Sequence, residues 1–257
     1  MATIKRQKVF FLDIDGVLTT AGKPEERQIV DEAIAMLAKA RELGYTRFVF
    51  ITARAAPWTN KNLVPLLQKY NLSGASEIHC ENGLYEVRGE KIILTPEAER
   101  FAKYKELLAK EIEAEITKRE ISAINKTKGA GKLVQVRFEP TNPEAASALQ
   151  KACEDVVEGL KKQGKLPRDI KALETKSGTN IFPYTVNKGA TAVRIEQRLR
   201  GTGARPIRVV GKAIGDDPKE DKAMAFGRKI KWVGVKDVGG FMHYMKNLTF
   251  RRPARRL

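Results

Sequence analysis

Cysteine and histidine are scarce in this chain of 257 residues, which has two of each. Cys80 and Cys153 are too few to staple a small disulfide scaffold, and so little sulfur and imidazole argues against a zinc site of the usual kind. Long apolar runs are missing as well. No stretch approaches the roughly 18 unbroken apolar residues of a membrane-crossing helix, so no membrane partner is expected. The N-terminus has neither the apolar run nor the small-residue cleavage site of a secretory signal. With so little cysteine, the expected location is a reducing cytoplasm.

What is there is balanced. Hydrophobic residues make up 42% and charged residues 31%, enough for a buried core and too even a mixture for a disordered chain. The length fits one large domain, or a medium domain with an inserted lobe. A net charge of +17 points toward polyanions until its distribution is counted. Residues 1–95 carry 13 Lys and Arg against 11 Asp and Glu, residues 96–183 carry 17 against 14, and residues 184–250 carry 14 against 6. The last seven residues add Arg251, Arg252, Arg255 and Arg256 as a basic tail. The excess is spread after residue 183, as on a solvated surface, and no basic helix with interleaved aromatics accompanies it. Nucleic acid is therefore not the expected partner, although the charge keeps it open.

Hydrophobic periodicity organises the chain. Strands are expected at Val9–Asp13, Phe48–Ile51 and Glu77–Cys80, with helices at Gln28–Leu43 and Lys61–Tyr70 between them. This alternation indicates a parallel sheet with crossover helices, in which chemistry gathers beyond the carboxyl ends of the strands. From about Arg88 the rhythm changes to a hairpin through Gly89, a helix at Pro96–Arg119, strands at Ile121–Lys126 and Leu133–Glu139 around Gly129 and Gly131, a helix at Pro143–Lys162, and strands at Ile170–Glu174 and Thr179–Phe182 around Ser177. Strands at 207–214 and 230–235 and helices at 188–199, 218–227 and 238–247 then resume the first pattern. The expected architecture is an α/β core of residues 1–87 and 184–250, interrupted by an α+β lobe of residues 88–183.

Four segments concentrate reactive groups. Asp13-Ile-Asp15-Gly16 ends the first strand with the two carboxylates that an aspartyl nucleophile and a neighbouring acid/base require. Gly16 would let backbone amides approach a phosphate closely. By itself the pattern serves equally well as an acidic turn. Ile51-Thr52-Ala53-Arg54 puts a hydroxyl at a strand end, Asn187-Lys188-Gly189 puts an ammonium at a helix start, and Gly215-Asp216-Asp217-Pro218-Lys219-Glu220-Asp221 puts four acids in six positions. Oxygen ligands without nearby histidine or cysteine suit Mg²⁺.

In this order, these segments resemble the haloacid dehalogenase superfamily of phosphotransferases. The insertion between the Thr52 and Lys188 segments, with Glu81-Asn82-Gly83 after the third strand, is similar to members with an α/β cap of the second type. The resemblance implies a Rossmann-like core with a parallel sheet and an inserted cap, and a Mg²⁺-dependent phosphoric monoester hydrolase. It implies Asp13 as nucleophile and metal ligand, Asp15 as acid/base with its carbonyl on the metal, and Thr52 and Lys188 on the phosphoryl group. Asp216 and Asp217 would complete the metal site, with Glu220 or Asp221 as a further supporter, and Gly16, Arg54 and Asn82 would adjoin the substrate.

Among capped members, the trehalose-phosphate and sucrose-phosphate phosphatases look nearest. Trehalose-phosphate phosphatases tend to carry Glu-x-Lys and His-x-Arg in the cap, where this chain has Ile124-Asn125-Lys126 and Gln135-Val136-Arg137. Lys126, Lys128 and Arg137 are thus candidate specificity residues. The expected substrate is a sugar phosphate or a related small phosphorylated metabolite. A phosphomannomutase-like phosphotransferase, a basic nucleic-acid-associated phosphatase and a non-catalytic binder stand as alternatives.

Overall fold

The computed structural model describes residues 6–22, 26–127, 132–175, 178–201, 207–226 and 229–250. The basic tail 251–257, Lys128, the glycines Gly129 and Gly131, and Ser177 lie outside the described residues. In chain order the elements are β1 (Arg6–Leu12), α1 (Asp31–Ala40), β2 (Tyr45–Ile51), α2 (Ala56–Asn62), α3 (Val64–Lys69), β3 (Ser76–Cys80), β4 (Tyr85–Arg88), β5 (Lys91–Leu94), α4 (Pro96–Ala102), α5 (Lys105–Lys118), β6 (Ala123–Asn125), β7 (Val136–Pro140), α6 (Ala145–Lys162), β8 (Ile170–Thr175), β9 (Gly178–Pro183), α7 (Lys188–Arg200), β10 (Arg208–Gly215), β11 (Ile230–Gly234) and α8 (Val238–Phe250).

A 7-stranded sheet has the order β11-β10-β1-β2-β3-β4-β5. The strands from β11 to β3 pair in parallel, and β4 and β5 add an antiparallel edge. The middle strand of the parallel part is β1, where Val9, Phe10, Phe11 and Leu12 are all fully buried. Alternation divides them: Phe10 and Leu12 pack with Ile34 and Leu37 of α1 and Phe241 of α8, while Val9 and Phe11 pack with Ala192 and Ile195 of α7. The unbroken apolar run is thus a strand covered on both faces. The chain leaves β1 toward β2 on one side and returns as β10 on the other, so strand order reverses between β1 and β10. Such a reversal opens a crevice at the strand ends, and there the Asp13 N–H donates to the Ile214 carbonyl at 3.0 Å.

Between β5 and α7 the chain builds a 4-stranded antiparallel sheet, β6-β7-β9-β8, with α5 and α6 packed on it. The expected order of helix, two strands, helix, two strands is realised. Lys91–Leu94, expected beyond the core boundary at residue 88, is instead the edge strand of the large sheet.

Local chemistry explains where elements depart from the periodicity. The helix expected from Gln28 starts at Asp31, because the backbone of Gln28 and Val30 is bonded to Thr20 and Leu18. The helix expected at Lys61–Tyr70 is two short ones, the second with Pro65 in its first turn, which has no N–H for an unbroken ladder. Pro96–Arg119 likewise divides around Lys103 and Tyr104. At 218–227 only a 3-10 turn forms among the described residues, Lys222–Met224. There the Asp217 and Asp221 carboxylates accept the backbone N–H groups of Lys219 and Asp217, which competes with helical bonding.

The strand expected from Leu133 begins at Val136 because its first amides have another acceptor. The Glu81 carboxylate, fully buried after β3, accepts from the N–H groups of Leu133 at 2.6 Å, Val134 at 3.0 Å and Gln135 at 2.6 Å. The Tyr85 hydroxyl also donates to it at 3.2 Å. One core carboxylate thus holds the entry to β7. Glu81→Ala should leave these buried amides unpaired, each at about 1–3 kcal/mol. Urea unfolding should accordingly show a loss of about 3 kcal/mol or more, and a change under 1 kcal/mol would mean the seam does not depend on Glu81.

Candidate active site

The carboxyl ends of β1, β2 and β10 and the start of α7 bring most of the expected residues together. Asp13, just past β1, is 5% exposed. Lys188 opens α7 behind Asn187, whose side chain caps the helix by accepting the Ala190 N–H at 2.9 Å. The Lys188 ammonium lies 2.9 Å from Asp13 Oδ1 and 2.6 Å from Asp221 Oδ1. Asp216, after β10, completes a group in which carboxylate oxygens of Asp13, Asp216 and Asp221 lie within 4.8 Å of one another.

Two glycines make room for this crowding. At Gly16 the backbone is left-handed, with φ of 72°, and a Cβ there would overlap the Asp216 carboxylate. At Gly215 a Cβ would overlap the side chain of Asp221.

Two buried carboxylates, Asp13 and Asp221, sharing one ammonium leave net negative charge in a buried place. Burial pushes the Asp13 carboxyl well above the usual carboxylate range; Lys188 pulls it down, and the charges of Asp221 and Asp15 push it further up. Burial also works against the Lys188 charge, but Asp13 and Asp221 outweigh it and hold the ammonium well above the usual lysine range. Both directions describe one excess of negative charge, which a proton or a cation would relieve. An all-oxygen set of this kind fits a hard divalent cation such as Mg²⁺.

Asp15 is held differently. Burial favours its neutral form, yet the hydrogen bonds and charge of Arg54, and then Arg27, hold it below the usual range. Arg54 binds it with both Nε and a terminal nitrogen, at 2.8 and 2.6 Å, and Arg27 stands at 3.3 Å. The Arg54 guanidinium also stacks over the Trp58 ring, 4.3 Å from its centroid. Thr52 is fully buried, and its hydroxyl accepts the Arg54 N–H at 3.0 Å. Asn82, with φ of 62°, donates its N–H to the Thr52 carbonyl at 2.8 Å.

Other expected residues lie elsewhere. The Asp217 carboxylate accepts the Lys219 N–H at 2.8 Å and is not in the converging group, where Asp221 stands; Glu220 is exposed. Arg137 is in the small sheet, paired with Glu139 at 2.8 Å and Asn180 at 2.9 Å, and Lys126 donates its N–H to the Arg137 carbonyl. Arg27 and Lys132 had no expected role from the sequence, and Glu81 figured only as part of Glu81-Asn82-Gly83. Glu81 had a signal, as an acid right after a buried strand, whereas Lys132 is one of many basic residues in a polar loop.

A second group, Glu77, His79 and Glu86, also lies within 4.8 Å. Arg198 pairs with both of its carboxylates, so its charge is already met. Burial pushes the thiols of Cys80 and Cys153 up to about 12, which makes them poor nucleophiles. Among the described residues no helix is long and apolar enough to cross a membrane.

No family model matches the chain, and no curated protein matches its sequence. Solved structures do resemble it. Trehalose-6-phosphate phosphatase of Aspergillus fumigatus superposes with a TM-score of 0.61 at 16% identity, covering 96% of this chain and 94% of that one. The C-terminal domain of the C. albicans trehalose-6-phosphate phosphatase gives 0.63 at 15% identity, covering 98% and 80%. IMP-nucleotidase of Plasmodium falciparum gives 0.64 at 13% identity, covering 97% of this chain and 62% of that one. These likenesses show the fold, a Rossmann-like α/β core with an inserted α+β lobe.

The charge excess can be tested without any assay of turnover. Mg²⁺ binding at the Asp13, Asp216 and Asp221 group should raise the unfolding free energy, by about 2.7 kcal/mol at a hundredfold excess over Kd. Asp216→Asn should abolish most of that rise in thermal melts with and without Mg²⁺. An equal rise in both proteins would place the cation elsewhere.

Proposed function

We propose that this chain is a Mg²⁺-dependent phosphomonoester hydrolase that works through an aspartyl phosphate on a sugar phosphate or related small phosphorylated metabolite of the cytoplasm. The observation that carries the reading is Lys188 between Asp13 and Asp221, with Asp216 beside them, at the strand-order reversal. The fold likeness to phosphatases of trehalose 6-phosphate and IMP supports it.

Asp13, Asp216 and Asp221, with the Asp15 carbonyl, would hold the metal. When bound, Mg²⁺ supplies the positive charge that keeps Asp13 anionic beside an anionic phosphate. A carboxylate oxygen of Asp13 attacks phosphorus, the bond to the ester oxygen breaks, and that oxygen takes a proton from Asp15. Water then gives a proton to Asp15 and attacks phosphorus, releasing phosphate and Asp13. Lys188 and the Thr52 hydroxyl neutralise and orient the phosphoryl oxygens. Asp15 paired with Arg54 is in the base form that the second half needs. The first half needs it protonated, so the Arg54 grip has to loosen once substrate is bound.

The lobe selects the leaving group and excludes water. Two buried acceptor oxygens, Asn82 Oδ1 and Gln135 Oε1, lack a hydrogen-bond partner among the described residues.

Phosphate release should be screened with Mg²⁺ over sugar phosphates, glycolytic acid phosphates and nucleotides. Asp13→Asn should lower kcat by about 10⁴-fold or more, since an amide cannot accept the phosphoryl group. Turnover near wild type in a folded Asp13→Asn protein, or full activity after exhaustive chelation, would defeat the reading. Lys126→Ala or Arg137→Ala should lower kcat/KM for the best sugar phosphate by about tenfold, with a much smaller effect on an aryl phosphate that needs only the core. Equal losses on both would make these residues structural supports.

A further inference from the structure

The turn Thr52–Arg54 is fastened from both lobes. Its carbonyls are taken in succession: Thr52 by the Asn82 N–H at 2.8 Å, Ala53 by the Lys132 ammonium, and Arg54 by the Glu81 N–H at 3.0 Å. The outer bonds come from the core, and the middle one crosses from the inserted lobe. Lys132 is itself firmly seated. Lys105 at the start of α5 donates to the Lys132 and Leu133 carbonyls, at 2.5 and 3.0 Å, and the next three amides bind Glu81.

A buried ammonium is costly unless paired. Burial, opposed mainly by the Glu81 charge and assisted by Arg137, pulls the Lys132 ammonium down to about 8. Packing alone would be met by an apolar side chain, without that cost. The turn it grips presents the Thr52 hydroxyl and aims Arg54 at Asp15 and Trp58.

We propose that Lys132 is a positioning residue which carries the placement of the inserted lobe into the Thr52–Arg54 turn through its bond to the Ala53 carbonyl. The Thr52 hydroxyl and the Arg54 guanidinium are then fully placed only while the lobe is seated. The catalytic consequence rests on the phosphatase reading above; the mechanical link does not.

Trp58 reports the turn directly, because Arg54 stacks on it and the chain has only one other tryptophan, Trp232. In a Trp232→Phe background, Lys132→Met should shift Trp58 emission and quenching. With an aryl phosphate and Mg²⁺, it should lower kcat by about tenfold to a hundredfold while KM stays within about threefold. Lys132→Arg, which keeps a charged donor, should restore at least half of each signal. If Lys132→Met fails to fold by circular dichroism, Lys132→Gln is read in its place. Unchanged Trp58 emission and unchanged kcat in a folded variant would overturn the proposal, and so would loss in KM alone. If the unmodified chain hydrolyses no phosphate ester, the phosphatase reading fails while Trp58 emission still decides whether Lys132 holds the turn.

Discussion

Everything at the strand ends depends on one buried ammonium serving more than one carboxylate. Lys188 sits between Asp13 and Asp221, with Asp216 close by, where water cannot screen the charges. Remove it, and two fully or nearly buried carboxylates face each other without compensation, a loss of about 3–5 kcal/mol by the usual behaviour of broken buried pairs. The surrounding backbone is shaped for this pairing. Gly16 and Gly215 admit the acids at distances no side chain would allow, and Asn187 fixes the helix start from which Lys188 reaches in. Two buried carboxylates on one ammonium leave a shortage of positive charge that a cation would relieve.

The seam between the lobes follows the same physics with the signs redistributed. Glu81 places a carboxylate where backbone amides converge, and Lys132 places an ammonium where a carbonyl of the Thr52–Arg54 turn is open. Each buried charge is met largely by main-chain dipoles. Such contacts have fixed geometry, so they specify one arrangement of lobe and core more sharply than apolar packing would. The backbone of the Thr52–Arg54 turn therefore belongs to both lobes.

The core was legible in the sequence because its central strands are covered on both faces. Val9–Leu12 and Phe48–Ile51 are unbroken apolar runs, and only a sheet between helix layers explains runs so short. Asp13, Asp15, Thr52, Lys188 and Asp216 were legible because each stands at the end of an element. The rest was hidden for identifiable reasons. Pattern counts side chains and is blind to backbone amides, so it extended β7 back to Leu133, where Glu81 takes the N–H groups. The resemblance implied Asp217 and left Asp221 as a further supporter, whereas the turn between them folds Asp221 back onto Lys188 and points Asp217 at the Lys219 N–H. Lys132 had no periodic signature, since its partner is a main-chain carbonyl far away in sequence.

The division of chemistry between the lobes bears on what the site can choose. Phosphoryl recognition needs concentrated charge, which on the proposed reading the core would supply. The lobe's sheet carries less free charge than its residue types suggest, because Arg137 is already engaged by Glu139 and Asn180. Where trehalose-phosphate phosphatases tend to have an acid and a histidine, this chain has Ile124 and Gln135, which removes one charge and one titratable ring. On the proposed chemistry, discrimination then falls to neutral donors and acceptors such as Asn82, Gln135 and Asn180. Neutral groups of this kind reject a partner mainly by being left unpaired when the wrong leaving group enters. On that reading the site would favour polyhydroxylated leaving groups over carboxylated ones, with a selectivity nearly independent of salt and a phosphate affinity that falls with it.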